Sequence, residues 1–322
     1  MQSIEKVKDI RPSFIGRDFL TLADFTEEEI GYLIDEAISL KHKQKQGIEH
    51  KFLKGKTLGM IFEKSSTRTR LSFEIGMKQL GGDAIFLSSR DIQLGRGESI
   101  ADTAKVLSRY VDGIMIRTFA HEKVEELAQH ATVPIINGLT DDHHPAQVLA
   151  DLMTIVENKG KLKGLKLCFV GDGNNNMTHS LIEGAALTGM NISVASPSGY
   201  QPKSTIVSNA KRIAVKTGST IEVTEDPVTA IEGADVVVTD VWASMGDEGQ
   251  MEERCTVFSP YQVNDELCKH ANKNFIFLHC LPAHRGEEVD TTVIDGVHSV
   301  VFDEAENRLH AQKALLWLTM SN

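Results

Sequence analysis

Ten short apolar runs, rich in β-branched residues, recur along this 322-residue chain and alternate with longer amphipathic segments. No other feature constrains the fold as strongly, because strands separated by helical crossovers pair in parallel and are covered on both faces. The runs are TLGMIF, AIFLS, GIMIRT and VPIIN, then KLCFVGD, ISVAS, TIEVT, DVVVTDVW, FIFLHC and SVVF. Thr26 with Glu29 forms a capping box before EIGYLIDEAISL, and Pro145 suits the first helical position of PAQVLADLMTIVE. In that second helix Val148, Leu149, Leu152, Ile155 and Val156 repeat at helical spacing and predict one buried face. The polar NKGKLKG that follows reads as a surface crossing between two sheets. The expected fold is α/β with two domains, each a parallel sheet flanked by helices: 1–150 with four strands and 151–322 with six. The terminal helix, within 304–322, is expected to pack back on the first domain.

Composition narrows the function. A formal net charge of -11 argues against general affinity for nucleic acid or an anionic membrane, although it leaves room for a local basic pocket. Cys168, Cys255, Cys268 and Cys280 lie far apart, and MQSIEKVKDIRPSF has charges where a signal peptide needs an apolar core. Both point to a reduced cytoplasm. No apolar run approaches the ~20 residues needed to span a bilayer.

The stretch EKSSTRTRLSFE opens a helix directly after TLGMIF and places Arg68 and Arg70 in its first turns, with no acidic residue among them. A helix N-terminus carries about half a positive charge, so cations there are unfavourable unless an anion joins them. Backbone N–H groups, the hydroxyls of Ser66, Thr67 and Thr69, and guanidinium forks together supply the donors that hold a phosphate. The competing account is a Ser/Thr cap with solvated arginines. No GxxxxGK[ST] run is present, so the expected anion is small.

In DDHHPAQVLADL, Pro145 puts His144 at an N-cap and Gln147 in a first turn, where both could donate to one oxygen; alone, each reads equally as a cap or surface group. No HExxH or spaced Cys/His set suggests a metal, and neither metal nor cofactor is expected. GDGNNNMTHS begins like a dinucleotide fingerprint, but Asn176 stands where the last glycine belongs and ISVAS lacks the acidic residue that holds a ribose. Asn175, Asn176, Asp240 and Cys280 all fall beyond the carboxyl ends of strands, where open parallel sheets bind ligands; singly they read as turn, cap and core residues.

Taken together these motifs resemble the carbamoyltransferases. FEKSSTRTRLSFE is similar to the family's phosphate-binding signature, HPxQ before LAD to a second, and DVWASMG and FLHCLPAHRGEEV to the DxxxSMG and HCLP signatures of its ornithine branch. The resemblance runs from about residue 16 to the terminal helix. It implies that Ser66, Thr67, Arg68, Thr69, Arg117, His144, Gln147 and Arg308 hold carbamoyl phosphate, with Cys280 and Leu281 beside the reacting groups. Arg117, His144 and Thr69 would stabilise charge on the carbonyl oxygen. Gln93, in the loop SSRDIQLGRGESIADT with Arg96 and Glu98, would reach a neighbouring subunit's site, which implies a homo-oligomer, typically a trimer. Ornithine would be held by Asp240, Ser244, Met245 and an asparagine, with Asn176 favoured over Asn175 because it directly precedes Met177.

The implied reaction is direct attack of ornithine's neutral δ-amine on the carbamoyl carbon, giving citrulline and phosphate within arginine metabolism, with domain closure bringing the groups together. Asp240 and Cys280 would orient the amine, and a Cys280–His279 dyad is disfavoured because successive strand residues face opposite ways. The alternatives are a sibling enzyme acting on putrescine, which SMG opposes, an aspartate acceptor, which Asp240 opposes, and a non-catalytic binder.

Overall fold

Every strand pair in the computed structural model is parallel, as the alternation of apolar runs requires. Residues 10–94, 97–243 and 251–321 are described. They fall into two units, Met1–Met153 with Glu306–Asn322, and Thr154–Ala305.

The first unit contains α1 (Glu27–Lys45), β1 (Thr57–Phe62), α2 (Thr67–Gln79), β2 (Asp83–Ser88), α3 (Ile100–Leu107), β3 (Gly113–Arg117), α4 (His121–His130), β4 (Ile135–Leu139) and the start of α5 (Pro145–Lys159). The second contains β5 (Lys166–Val170), α6 (Asn176–Thr188), β6 (Asn191–Ala195), α7 (Ser204–Thr217), β7 (Ile221–Thr224), α8 (Pro227–Ile231), β8 (Val236–Val238), α9 (Met251–Phe258), α10 (Asp265–Cys268), β9 (Ile276–Leu278), α11 (Thr291–Ile294) and the start of α12 (Val301–Met320). Strand order is β2-β1-β3-β4 in one sheet and β7-β6-β5-β8-β9 in the other.

Local rules explain most boundaries. Thr26 caps α1, its Oγ1 accepting the Glu29 N–H at 3.2 Å while Glu29 accepts the Thr26 N–H at 2.9 Å. Between sheet and helices, Ile61, Ile114, Ile116 and Ile135 form one core with Val124 and Leu127; Val170, Val237 and Phe277 form the other with Trp242 and Phe258. Each fully buried side chain of this kind contributes roughly 1.5–3 kcal/mol.

Two expectations are corrected. SVVF is no strand: Ser299 makes a single bridge to Phe277, and Val301 already begins α12. Asp303 and Glu304 in the first turn suit the helix dipole, and Glu304 accepts the His279 backbone N–H at 2.8 Å, so helix start and tertiary bond together override the β-propensity of two valines. The second sheet therefore has five strands. Nor does α5 bury one face only, since every residue from Ala146 to Ile155 is buried, and Gln147 answers its polarity by donating to Asp151 at 2.8 Å.

Within the first unit α12 packs on α2 closely enough that a Cβ on Gly76 would stand 3.3 Å from Lys313 Cγ. Lys313 is fully buried, with Nζ 2.9 Å from Gln79 Oε1 and 3.1 Å from His50 Nε2, and burial pulls its pKa down to about 8. Because the folded-state value lies below the unfolded 10.5, the unfolded chain binds more protons between about pH 8 and 10.5, and wild-type stability should rise through that window. Lys313→Met should lack this rise, so its stability relative to wild type falls by up to roughly 3 kcal/mol from pH 7 to pH 10.5. Denaturant unfolding of both proteins at the two pH values checks this, and parallel pH profiles would refute it.

Candidate active site

In the first unit, β1 ends beside β3 with Phe62 paired to Arg117, so the chain entering α2 leaves the sheet next to that arginine. Ser66 caps α2, its Oγ accepting the Thr69 N–H at 3.2 Å and donating to Thr69 Oγ1 at 3.0 Å. Arg308 of α12 donates to the same Thr69 Oγ1 at 2.8 Å. With both lone pairs of that oxygen occupied, its own hydrogen is left to donate elsewhere. Thr69, Arg117, His144, Gln147 and Arg308 are all buried, whereas Thr67 is exposed and Arg68 half-buried.

The two arginines of SSTRTR divide. Arg70 turns outward, with Nε 3.4 Å from Glu74 and its guanidinium 4.0 Å above the Phe86 ring. Arg68 joins the buried group: burial, then the positive charges of Arg308, Arg117 and Arg68, hold the His144 pKa well below its ordinary value. His144 is therefore a neutral imidazole at physiological pH, able to donate from one ring nitrogen. A neutral histidine ringed by cations on a helix N-terminus is an arrangement for oxygen-rich anions. Because α12 begins at Val301, Arg308 lies two turns into the helix and is buried. Gln93 is not part of this group, being exposed on the loop after β2, and Arg96 lies outside the described residues.

In the second unit β5, β8 and β9 are neighbours, with Phe169 opposite Val238 and Val238 opposite Leu278, so the loops after them emerge along one edge. Asn175 caps α6, its Oδ1 accepting the Thr178 N–H at 2.8 Å, while its buried Nδ2 has no hydrogen-bond partner among the described residues. Asn176 is the first helical residue and half-buried. Asp240 is buried, and burial raises its pKa, opposed by nearby His279, the Val241 N–H at 2.8 Å and the Cys280 thiol at 3.2 Å. Ser244 and Met245 lie outside the described residues. Gly173 serves packing rather than a nucleotide: a Cβ there would come within 2.7 Å of Ser196 Oγ and 2.8 Å of Tyr200 O.

Ligand atoms of Asp240, His279 and Cys280 lie within 4.8 Å of one another. His279 Nδ1, however, accepts the Leu281 N–H at 2.9 Å, and Nε2 faces Glu288 at 3.2 Å. Both ring nitrogens are thus engaged, which argues against a Cys280–His279 dyad and means that a metal there would break one of these bonds. The bonds also hold Leu281 at φ +58, a backbone conformation costly for a side chain of its size.

Sequence reasoning missed the supports. Glu288 accepts from His279 and from the His284 N–H at 2.6 Å, and Arg254 donates to Asp172 and to the Trp242 carbonyl, both at 2.7 Å. The only sequence signal was the presence of Glu288 and Asp172 inside FLHCLPAHRGEEV and GDGNNNMTHS.

Two family models match the chain: "Aspartate/ornithine carbamoyltransferase, carbamoyl-P binding domain" over residues 17–157 and "Aspartate/ornithine carbamoyltransferase, Asp/Orn binding domain" over 163–319. The chain is 65% identical over 301 residues to an ornithine carbamoyltransferase of Anoxybacillus flavithermus, covering 94% of this chain and 96% of that one. It is 59% identical over 304 residues to the Bacillus subtilis ornithine carbamoyltransferase, covering 94% of each. The solved ornithine carbamoyltransferase from Pyrococcus furiosus superposes with a TM-score of 0.93 at 55% identity, covering 95% of this chain and 98% of that one.

Inorganic phosphate should bind the first unit's arginine group. Arg68→Ala should weaken that binding roughly 10- to 150-fold, the equivalent of one charge-assisted hydrogen bond. Calorimetric titration of both proteins measures the difference, and equal affinities would remove Arg68 from the site.

Proposed function

The chain belongs to the aspartate/ornithine carbamoyltransferase family, and we infer that it transfers the carbamoyl group of carbamoyl phosphate to the δ-amine of L-ornithine, giving L-citrulline and phosphate. Asp240 is the observation that carries the choice of acceptor: a buried carboxylate bonded to the Cys280 thiol attracts an amine, whereas aspartate would bring it a second negative charge. The Asp/Orn-binding family model covers this residue.

Residues 1–150, with the terminal helix, serve in this reading as the carbamoyl phosphate domain and 151–322 as the ornithine domain. Ser66, Thr67, Arg68 and the N–H groups opening α2 receive the phosphate. Thr69, Arg117, His144 and Arg308 surround the carbonyl oxygen, with Gln147 beside them. The ornithine amine lone pair attacks the carbamoyl carbon, a C–N bond forms, and the developing oxyanion meets donors already in place. The C–O bond to phosphate then breaks, and the departing phosphate takes the proton lost by the amine. A neutral His144 suits this step, because an imidazolium would add a further cation to a cluster of arginines. Cys280 and Asp240 orient the amine and Leu281 lies beside it, so most of the catalytic effect is positioning and electrostatics.

For ornithine's α-carboxylate we assign Asn175 in place of Asn176. Asn175 carries at a helix N-terminus a buried amide donor with no partner among the described residues, and its oxygen is already committed to the cap. Ser244 and Met245 remain assigned to ornithine on the motif alone.

The assembly we propose is a homotrimer with shared sites. The edge strand β2 exposes Ile85 and Phe86, and α2 exposes Leu71 and Ile75, an apolar surface that a second copy would cover. Gln93 follows that edge closely enough in sequence to enter the neighbour's site. No described helix is long and apolar enough to cross a membrane, and all four cysteines are free thiols. A cytoplasmic enzyme of arginine metabolism accounts for these features.

Purified protein incubated with carbamoyl phosphate and ornithine should form citrulline and phosphate, and turnover with putrescine or aspartate alone would overturn the acceptor. Asn175→Asp, which keeps the cap oxygen, should raise the ornithine KM about tenfold or more and leave the carbamoyl phosphate KM unchanged; the same effect from Asn176→Asp but not Asn175→Asp would return the assignment to Asn176. Phe86→Asp should shift the sedimentation of the assembly toward monomer, and an unaltered profile would count against the β2 edge.

A further inference from the structure

The loop between Pro282 and Asp290 folds back on itself: Gly286 at φ +88 donates to the Val289 carbonyl and Glu287 N–H to the His284 carbonyl, each at 2.9 Å. This turn brings three side chains to one point. His284 Nδ1 stands 3.7 Å from Glu287 Oε2 and 3.7 Å from Glu288 Oε2, and the three ligand atoms lie within 4.8 Å of one another. Both carboxylate oxygens are buried without a hydrogen-bond partner among the described residues; Glu288 as a residue has no exposed surface, while the rest of the Glu287 side chain is 38% exposed. The loop's own arginine does not answer them, because Arg285 makes a two-point pair with Asp295 at 2.6 and 2.8 Å.

Two buried carboxylate oxygens aimed at one imidazole nitrogen, beyond hydrogen-bonding reach of it, leave a gap of defined size. Ligands about 2.1 Å from a tetrahedral ion stand about 3.4 Å apart, close to the 3.7 Å that separates His284 Nδ1 from each carboxylate. We propose that His284, Glu287 and Glu288 bind a divalent first-row transition-metal ion that fixes this loop and takes no part in carbamoyl transfer. One imidazole with two carboxylates suits cobalt, manganese or zinc better than calcium or magnesium, which take oxygen ligands throughout. The His284 side chain is 43% exposed, so a fourth position faces solvent and gives the ion its way in.

The consequence for the neighbouring site follows from Glu288. Its other oxygen accepts from His279 Nε2 at 3.2 Å and from the His284 N–H at 2.6 Å, and His279 in turn accepts the Leu281 N–H. An ion on Oε2 would lock this chain of bonds from the far side and steady the backbone next to Cys280.

The test is titration of the metal-stripped, full-length protein with Co2+. The expected result is one ion per chain, visible d–d absorption without a thiolate-to-cobalt charge-transfer band, and a higher melting temperature. His284→Ala and Glu287→Gln should each weaken binding about tenfold or more and lose the melting shift. Glu287→Gln should keep its metal-free turnover. A thiolate band accounting for the bound ion, equal affinity in both variants, or no binding below millimolar Co2+ would overturn the proposal. The wild-type spectrum alone decides the matter if either variant fails to fold.

Discussion

The constraint on which the first unit's chemistry depends is repulsion. Arg68, Arg117 and Arg308 all act on one buried histidine. Like charges 4–8 Å apart at the effective dielectric of a protein repel by about 2–4 kcal/mol. Folding cannot relieve this by turning the side chains outward, because Arg117 and Arg308 are buried, fixed by the end of β3 and by the packing of α12 on α2. In the proposed function this group receives an anion, and the start of α2 offers it no competitor, having hydroxyls at Ser66 and Thr69 and no carboxylate in its first turn. A carboxylate there would stabilise the free protein and occupy the place of the ligand.

How much of this was legible in the sequence depends on the range over which each feature is decided. The capping box at Thr26, the proline opening α5 and the serine cap of α2 are settled within four residues, and the structure places them as the local rules require. SVVF reads as a strand because its two valines dominate a short window, while the bond from His279 to Glu304 joins positions twenty-five apart. The same limit hid the burial of Arg308, whose contact with Thr69 spans 239 residues. It also hid Arg254, whose partner Asp172 sits 82 residues away at the end of a different strand. Candidate site residues come in motifs; the residues that hold them do not.

That distinction matters most around Cys280. The motif FLHCLPAHRGEEV holds the residues that the proposed function puts near the reacting groups but says nothing of why the backbone should stay in place there. The structure supplies two buried carboxylates that do so from opposite directions, Glu304 on the His279 N–H and Glu288 on its ring and on the His284 N–H. A residue at φ +58 without glycine's freedom needs such support, since its preferred conformation lies elsewhere. His279 is then best understood as a strut, with both nitrogens engaged in holding the loop, and the thiol beside it answers to Asp240.

The global charge and the local charge of this protein have opposite signs, and the difference bears on how a dianion reaches the site. A net charge of -11 repels an approaching phosphate at long range. At physiological ionic strength that field is screened over about 8 Å, so beyond this distance the substrate meets little of it. Within it, the guanidinium groups and the N–H groups of α2 act in surroundings of low dielectric, where screening is weak and attraction correspondingly stronger. In the proposed function, capture of the phosphate therefore relies on donors fixed close to the ligand, without help from long-range steering. The cost is a slower encounter at low salt; the gain is that anions lacking the shape to engage Ser66, Thr69 and the arginines together receive no general welcome from the surface.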